Sequence, residues 1–428
     1  MAYSVELLIN YLTAFVHLLL NPLLYVFVLF IYLQYRKQMV VERQLFSARI
    51  QSPLKQTVRS IGMGLVGGII ASISAGLLGI MVQETDMWLL WFLSLGLALI
   101  RIRFFCLAYS AGILTLLHML TLLAPNPMGD QGVGIVWTWL ANVNPVPLLA
   151  LVGLLHLIEA MLIRWNAGRD ASPLFVEGKR GRIVGAYHLQ SFWLTPLLFL
   201  VPSQASGLLS TPLYPGWPLF SPENIGLGMG YGLMLLPAVT GFSDLTQTMV
   251  SKEKARQASR QLFIYALLLL GLSYASVWLP WLAVFAALYT IAGHEGLFVI
   301  SQRREQSAPP YFIQSPKGIK VMAVLPDTPA EQMGILPGEI IVKVNGIPVQ
   351  DKTQLYPALQ ANPAFCKMEV LTYNNEQKFV QCAIYAGNHH QLGIIVVPDS
   401  STNYFVEVHK MSLIQLIKDR MEKIKLGA

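Results

Sequence analysis

The chain has 428 residues, 54% of them hydrophobic and 12% charged, with mean hydropathy +0.52 and a formal net charge of +7. Soluble domains carry about 25% charged residues, so a wholly soluble fold is excluded and a membrane protein is indicated. The basic excess does not point to nucleic acid: 17 Lys and Arg against 12 Asp and Glu precede residue 301, where they sit in loops between apolar segments, and 13 against 11 follow it.

Nine apolar segments are read in chain order, at about 11–33, 61–82, 87–100, 104–123, 146–163, 183–203, 225–243, 261–279 and 282–300. A helical span needs ~20 apolar residues, so 87–100 is short, and Arg101 and Arg103 make a tight basic turn between it and the next. A single long bent span with a re-entrant piece is the other reading of 87–123. The first segment is too long for a signal-peptide core, and no small-residue cleavage site follows it. All basic residues before residue 301 fall in alternate loops, beginning with Arg36, Lys37, Arg43, Arg49, Lys55 and Arg59. The loops at 83–86, 124–145, 204–224 and 280–281 hold none. The positive-inside rule then makes the basic side cytoplasmic, sets the N-terminus outside, and leaves everything after Ile300 in the cytoplasm.

Gly64, Gly68, Ser72 and Gly76 recur every four residues and form a thin helix face, suited to close helix packing within the chain or between copies. Gly226, Gly228, Gly230 and Gly232 read as a second thin-walled helix, and His17 with Asn21 as interhelical hydrogen-bonding groups. His156 and Glu159 share a face of the fifth segment, an intramembrane polar pair that Arg164 is near enough to satisfy.

From residue 301 the pattern becomes that of a soluble α+β module. Strand "GIKVMAVLP" leads to Thr328 and Pro329, with Glu331 placed for a capping box and Gly334 for a helix end. Strand "EIIVKV" runs into the Asn345-Gly346 turn, and "TQLYPALQ" is a short helix with Leu355 and Leu359 on one face. "CKMEVLTY" and "QKFVQCAIY" make a hairpin about Asn374-Asn375, which sets Cys366 opposite Ala383 and leaves free thiols. This order, through "P-D-T-P-A-E-Q-M-G-I-L-P-G-E-I-I-V-K-V-N-G", resembles a PDZ domain over roughly residues 310–400. The resemblance implies a groove in which an extended peptide adds as a strand. Leu392, Gly393, Ile394, Ile395 and Val396 are the expected carboxylate loop and groove strand, supplied last in a circularly permuted arrangement, with Leu355 and Leu359 opposite. Lys317, Gly318 and Ile319 are the alternative loop. After Asp399, "YFVEVHK" reads as a strand and the segment from Met411 as an amphipathic helix.

No catalytic constellation emerges. His294-Glu295-Gly296-Leu297-Phe298 begins like a zinc-protease helix, but Phe298 stands where the second His must be, so no metal and no cofactor is expected. The spans lack the paired interruptions of a transporter.

With "VELLINYLTAFVHLLLNPLLYVFV", "HLIEAMLIRW" and "GRIVGAYHLQSFWLTPLLFL" ahead of one PDZ module, the whole chain resembles the MinJ (SwrAB) family. That resemblance implies a topological determinant of cell division and swarming motility in rod-shaped Gram-positive bacteria. Such a protein links DivIVA-like and MinD-like partners, and through MinC restrains FtsZ, at the septum and poles. The expected architecture is a polytopic α-helical membrane domain at 1–303, a cytoplasmic PDZ-like domain at 304–400 and a C-terminal extension at 401–428. The expected function is a non-enzymatic scaffold in contact with membrane lipid. The competing classes are a PDZ-regulated protease or protease helper, and a transporter with a peptide-sensing domain.

Overall fold

The structure, a computed structural model, describes residues 19–124, 131–203, 212–222, 230–385 and 392–399, with isolated positions between and beyond them up to 406. His17, Gly226, Gly228 and the amphipathic segment from Met411 lie outside the described residues.

Helix α1 (Pro22–Phe46) runs on past the expected first span through Arg36, Lys37 and Arg43, and Thr13, Val16, Leu19 and Leu20 ahead of it are also helical. Asn21 fixes the start of α1: its side chain accepts from Leu23 N at 2.9 Å and Pro22 takes the first helical position, so Asn21 is a cap and not an interhelical bridge. Then come α2 (Pro53–Leu78), α3 (Glu84–Ile100), α4 (Leu107–Leu123), the short α5 (Val133–Ala141) and α6 (Pro145–Leu162), which continues through a π-helical turn at Ile163–Ala167. A 3-10 turn at Ile102–Phe105, carrying Arg103, separates α3 from α4, as expected of a tight basic turn. Helices α7 (Ser251–Trp278) and α8 (Leu282–Ser307) complete the bundle. Among the described residues, four helices are long and apolar enough to cross a membrane: Pro53–Leu78, Pro145–Ala167, Ser251–Trp278 and Leu282–Ser307.

Two expected helical spans are strands. Strand β1 (Ser172–Glu177) pairs with β2 (Ile183–Ser203), and β2 pairs antiparallel with β3 (Gly230–Thr246) from Tyr187↔Thr246 to Ser203↔Gly230. Hydropathy alone does not separate an apolar helix from an apolar strand. The residues that do are Pro196 and Pro237, which would each interrupt a helix and here lie directly opposite one another. Gly230 and Gly232 accordingly belong to β3, not to a thin-walled helix.

The small-residue face of α2 receives this sheet. A Cβ at Gly64 would overlap the carbonyl oxygen of Leu194, and one at Gly68 that of Pro196. Ser72 Oγ accepts from Leu198 N at 2.9 Å, and beyond the helix Val82 N donates to Leu200 O at 3.0 Å. Four helical residues rise about 6 Å and two strand residues about 6.6 Å, so a period of four on the helix matches a period of two on the strand. The edge of β2 lies along the helix in register, and Pro196, with no N–H to satisfy, sits opposite Gly68. This seam supplies partners to a strand edge in apolar surroundings, where unpaired backbone groups are costly.

The module begins after α8. Its strands are β4 (Ile319–Val324), β5 (Ile340–Val344), β6 (Ile347–Pro348), β7 (Phe365–Leu371), β8 (Gln377–Ala383) and β9 (Ile394–Val396). The sheet order is β8-β7-β5-β4-β9, with β6 on β5, and the helices are α9 (Pro329–Gln332) and α10 (Lys352–Gln360). Asn345 and Gly346, at φ 50° and 82°, form the anticipated two-residue turn. The capping box does not form: Thr328 Oγ donates to Leu325 O at 2.6 Å, and Glu331 accepts from Asp327 N. The β7–β8 loop is one residue longer than expected, with Thr372 N bonded to Glu376 O and Asn375 at φ 60°. Cys366 therefore pairs with Cys382, not Ala383; both thiols are free.

Candidate functional site

Strand β9 is bonded on one side only among the described residues. Leu325 N donates to Gly393 O at 2.8 Å and Val397 N to Lys320 O at 3.2 Å, so the odd-numbered residues turn their backbone groups toward β4. Alternation then sends the N–H and C=O groups of Ile394 and Val396 to the outer edge. Leu392 and Gly393 enter the strand with φ 55° and 81°. A left-handed conformation is routine for Gly but costs a leucine about 1 kcal/mol or more, and such residues concentrate at ligand-clamping sites. Leu392 is held there by burial at 2% exposure and by Ala330 N, which donates to its carbonyl at 3.1 Å.

The faces of β9 are divided. Leu392 and Ile394 join Leu355 and Leu359 of α10 in the module core, with Val396 packed at its margin. Ile395 and Val397 belong instead to the large core of the membrane part, together with Met322, Ala323 and Leu325. Phe312 is fully buried in that same core and bridges to Gly185 of β2, while the Tyr187 hydroxyl donates to Met322 O. The sheet is thus docked on the membrane part by one face, and the outer edge of β9 stays free among the described residues. Lys317, Gly318 and Ile319 lead into β4, which β5 and β9 flank on both sides.

A second constellation lies in the helix bundle, and sequence spacing did not reveal it. His156 of α6 does not pair with Glu159, and no Glu159–Arg164 ion pair occurs among the described residues. Instead His156 Nε2 lies 3.2 Å from Cys106 Sγ at the start of α4, and His294 Nε2 of α8 lies 3.4 Å from the same sulfur. Tyr109 OH is 3.3 Å from His294 Nδ1 and donates to Glu295 at 2.8 Å, and Glu295 pairs with Arg103 at 2.8 Å. The sequence signal was the His294-Glu295 pair itself; the neighbouring Cys106 and His156 come from other elements, not from position 298.

A profile of the PDZ domain family matches residues 320–371, which run from β4 to the end of β7. This defines a membrane-helix protein with a C-terminal PDZ domain. The chain is 30% identical to the cell division topological determinant MinJ of Bacillus subtilis (strain 168) over 390 residues, covering 89% of this chain and 93% of that protein. It is 28% identical to a probable MinJ of Lacticaseibacillus paracasei over 272 residues, covering 61% and 68%. The chain belongs to the MinJ family. A short likeness to the putative serine protease HhoA of Synechocystis, 50% over 46 residues, covers 11% of this chain and 12% of that protein.

Proposed function

We propose that the chain is a non-enzymatic membrane scaffold that places cell-division proteins by capturing a segment of a partner along the outer edge of β9. The observation that carries this reading is the one-sided hydrogen bonding of β9 behind the left-handed Leu392-Gly393 entry. An extended peptide gains main-chain hydrogen bonds from Ile394 and Val396 and packs its side chains toward α10. The permuted order, with the groove strand supplied last, fits a family profile that ends at residue 371, ahead of it. The partners consistent with the family are a DivIVA-like pole-marking protein and a MinD-like membrane ATPase. The module acts on the cytoplasmic face at septum and poles, where confinement to a surface strengthens weak contacts.

Gly393 is a poor probe, because any Cβ there overlaps Thr328. Val396→Pro in the full chain is cleaner: it deletes one outward N–H and leaves the ladder to β4 intact, as proline permits on an edge strand. Membranes carrying the wild-type chain should retain a DivIVA-like or MinD-like partner. Val396→Pro should release at least one of them without changing thermal unfolding, and Val396→Thr should not. Equal retention by Val396→Pro, or no retention by the wild type, contradicts the reading.

A further inference from the structure

We propose that Cys106, His156 and His294 form a three-ligand site for a late first-row transition metal ion, with Zn²⁺ the best match, that links α4, α6 and α8. The ligating atoms of the three all lie within 4.8 Å of one another. Around tetrahedral zinc, Zn–S of about 2.3 Å and Zn–N of about 2.0–2.1 Å put sulfur and nitrogen about 3.6 Å apart. The 3.2 and 3.4 Å separations from Cys106 Sγ to the two Nε2 atoms are close to that spacing.

Hydrogen bonding favours an ion over a bare cluster. His156 Nδ1 lies 2.7 Å from the carbonyl of Val152, an acceptor only, so its proton is on Nδ1 and Nε2 presents a lone pair. Tyr109 donates its proton to Glu295, which Arg103 keeps paired, so its oxygen accepts from His294 Nδ1, and His294 Nε2 also presents a lone pair. Two lone pairs then face one sulfur, whose single S–H can satisfy only one of them. A cation satisfies both and displaces the thiol proton to solvent. Backbone carbonyl and hydroxyl partners on the distal nitrogens are the outer contacts by which metal-binding imidazoles are oriented.

Thiolate and imidazole ligands select zinc-like ions over Mg²⁺ or Ca²⁺. Glu295 is occupied by Arg103 and Tyr109, so it is a positioning residue for His294 and not a poised base. The site is therefore independent of the peptide edge, and neither proposal stands on the other.

The test uses the full chain in lipid nanodiscs, purified after growth with Zn²⁺. Metal analysis should find about one Zn²⁺ per chain, and X-ray absorption at the zinc edge one sulfur and two imidazole neighbours. Co²⁺ in place of Zn²⁺ should give a thiolate charge-transfer band. The band should survive in Cys366→Ala/Cys382→Ala, which leaves Cys106 as the one cysteine of the chain, and vanish in Cys106→Ser. A wild-type chain that holds no transition metal and gives no Co²⁺ band overturns the proposal. So does a band that survives Cys106→Ser or is lost with Cys366 and Cys382.

Discussion

Lys254 Nζ lies 2.9 Å from Glu305 Oε1, and both side chains are buried where α7 begins and α8 ends. Glu305 also accepts from the backbone of Gln247 and Thr248, and Lys254 reaches Asp244 at 3.3 Å. The ion pair thus ties the end of β3 to the helix that leads into the PDZ module. Removing one partner of a buried pair leaves an uncompensated charge and costs about 3–5 kcal/mol. Lys254→Met should lower unfolding stability in detergent by that order, and adding Glu305→Gln should recover part of the loss. A double-mutant cycle without coupling would contradict the assignment.

The second prediction concerns the helix–strand seam. Gly68→Ala should sharply reduce the yield of folded chain, because its Cβ has no room against Pro196. Gly62→Ala, on the same helix with nothing within 4 Å, should be neutral or stabilising by about 1 kcal/mol through helix propensity. If Gly68→Ala instead altered only the oligomeric state, the face would serve contacts between copies. Folded yield and size-exclusion profile of the two variants decide it.

Docking of the module is testable at Tyr187. Its hydroxyl bonds Met322 O in the buried contact, so Tyr187→Phe leaves that carbonyl without this donor at a cost of about 1–3 kcal/mol. The α8–β4 linker should then be cut faster in limited proteolysis, with little change in the module's own core. Gly185→Ala should act in the same direction, because its Cβ would stand 2.8 Å from Phe312 and 2.9 Å from Met322 Sδ.

Burial, with Cys382 opposite, pushes the Cys366 thiol up from 9.0 to about 12. The unfolded thiol ionises first, so the folded module loses this contribution as pH rises from about 9 toward 12 and keeps it in full below that window. Unfolding stability should fall less steeply over that window in Cys366→Ala than in the wild type. Parallel pH profiles would show that the thiol is not buried in this way.

The module was legible because its signals are local: Asn345-Gly346 requires positive φ, and Leu392-Gly393 lies at the head of an apolar strand. Its β7–β8 register was not, because one residue in a loop shifts every pair and sequence does not set loop length here. In the membrane part, composition gave the spans but not their type. Pro196, Pro237 and the closely spaced glycines carried the strand signal, and Gly64, Gly68 and Ser72 read equally well as a helix–helix face. The Cys106–His156–His294 cluster was hidden for a different reason: its members come from three helices, so no spacing along the chain announces it.

Amide hydrogen exchange, resolved by residue in the full chain in nanodiscs, tests the central claim most directly. The amides of Ile394 and Val396 should exchange freely in the isolated protein while Val397, bonded to Lys320, is protected, and binding of a partner segment should slow the first two. Protection of Ile394 and Val396 equal to that of Val397 before any partner is added would mean that the edge is already filled, and the scaffold account would fail.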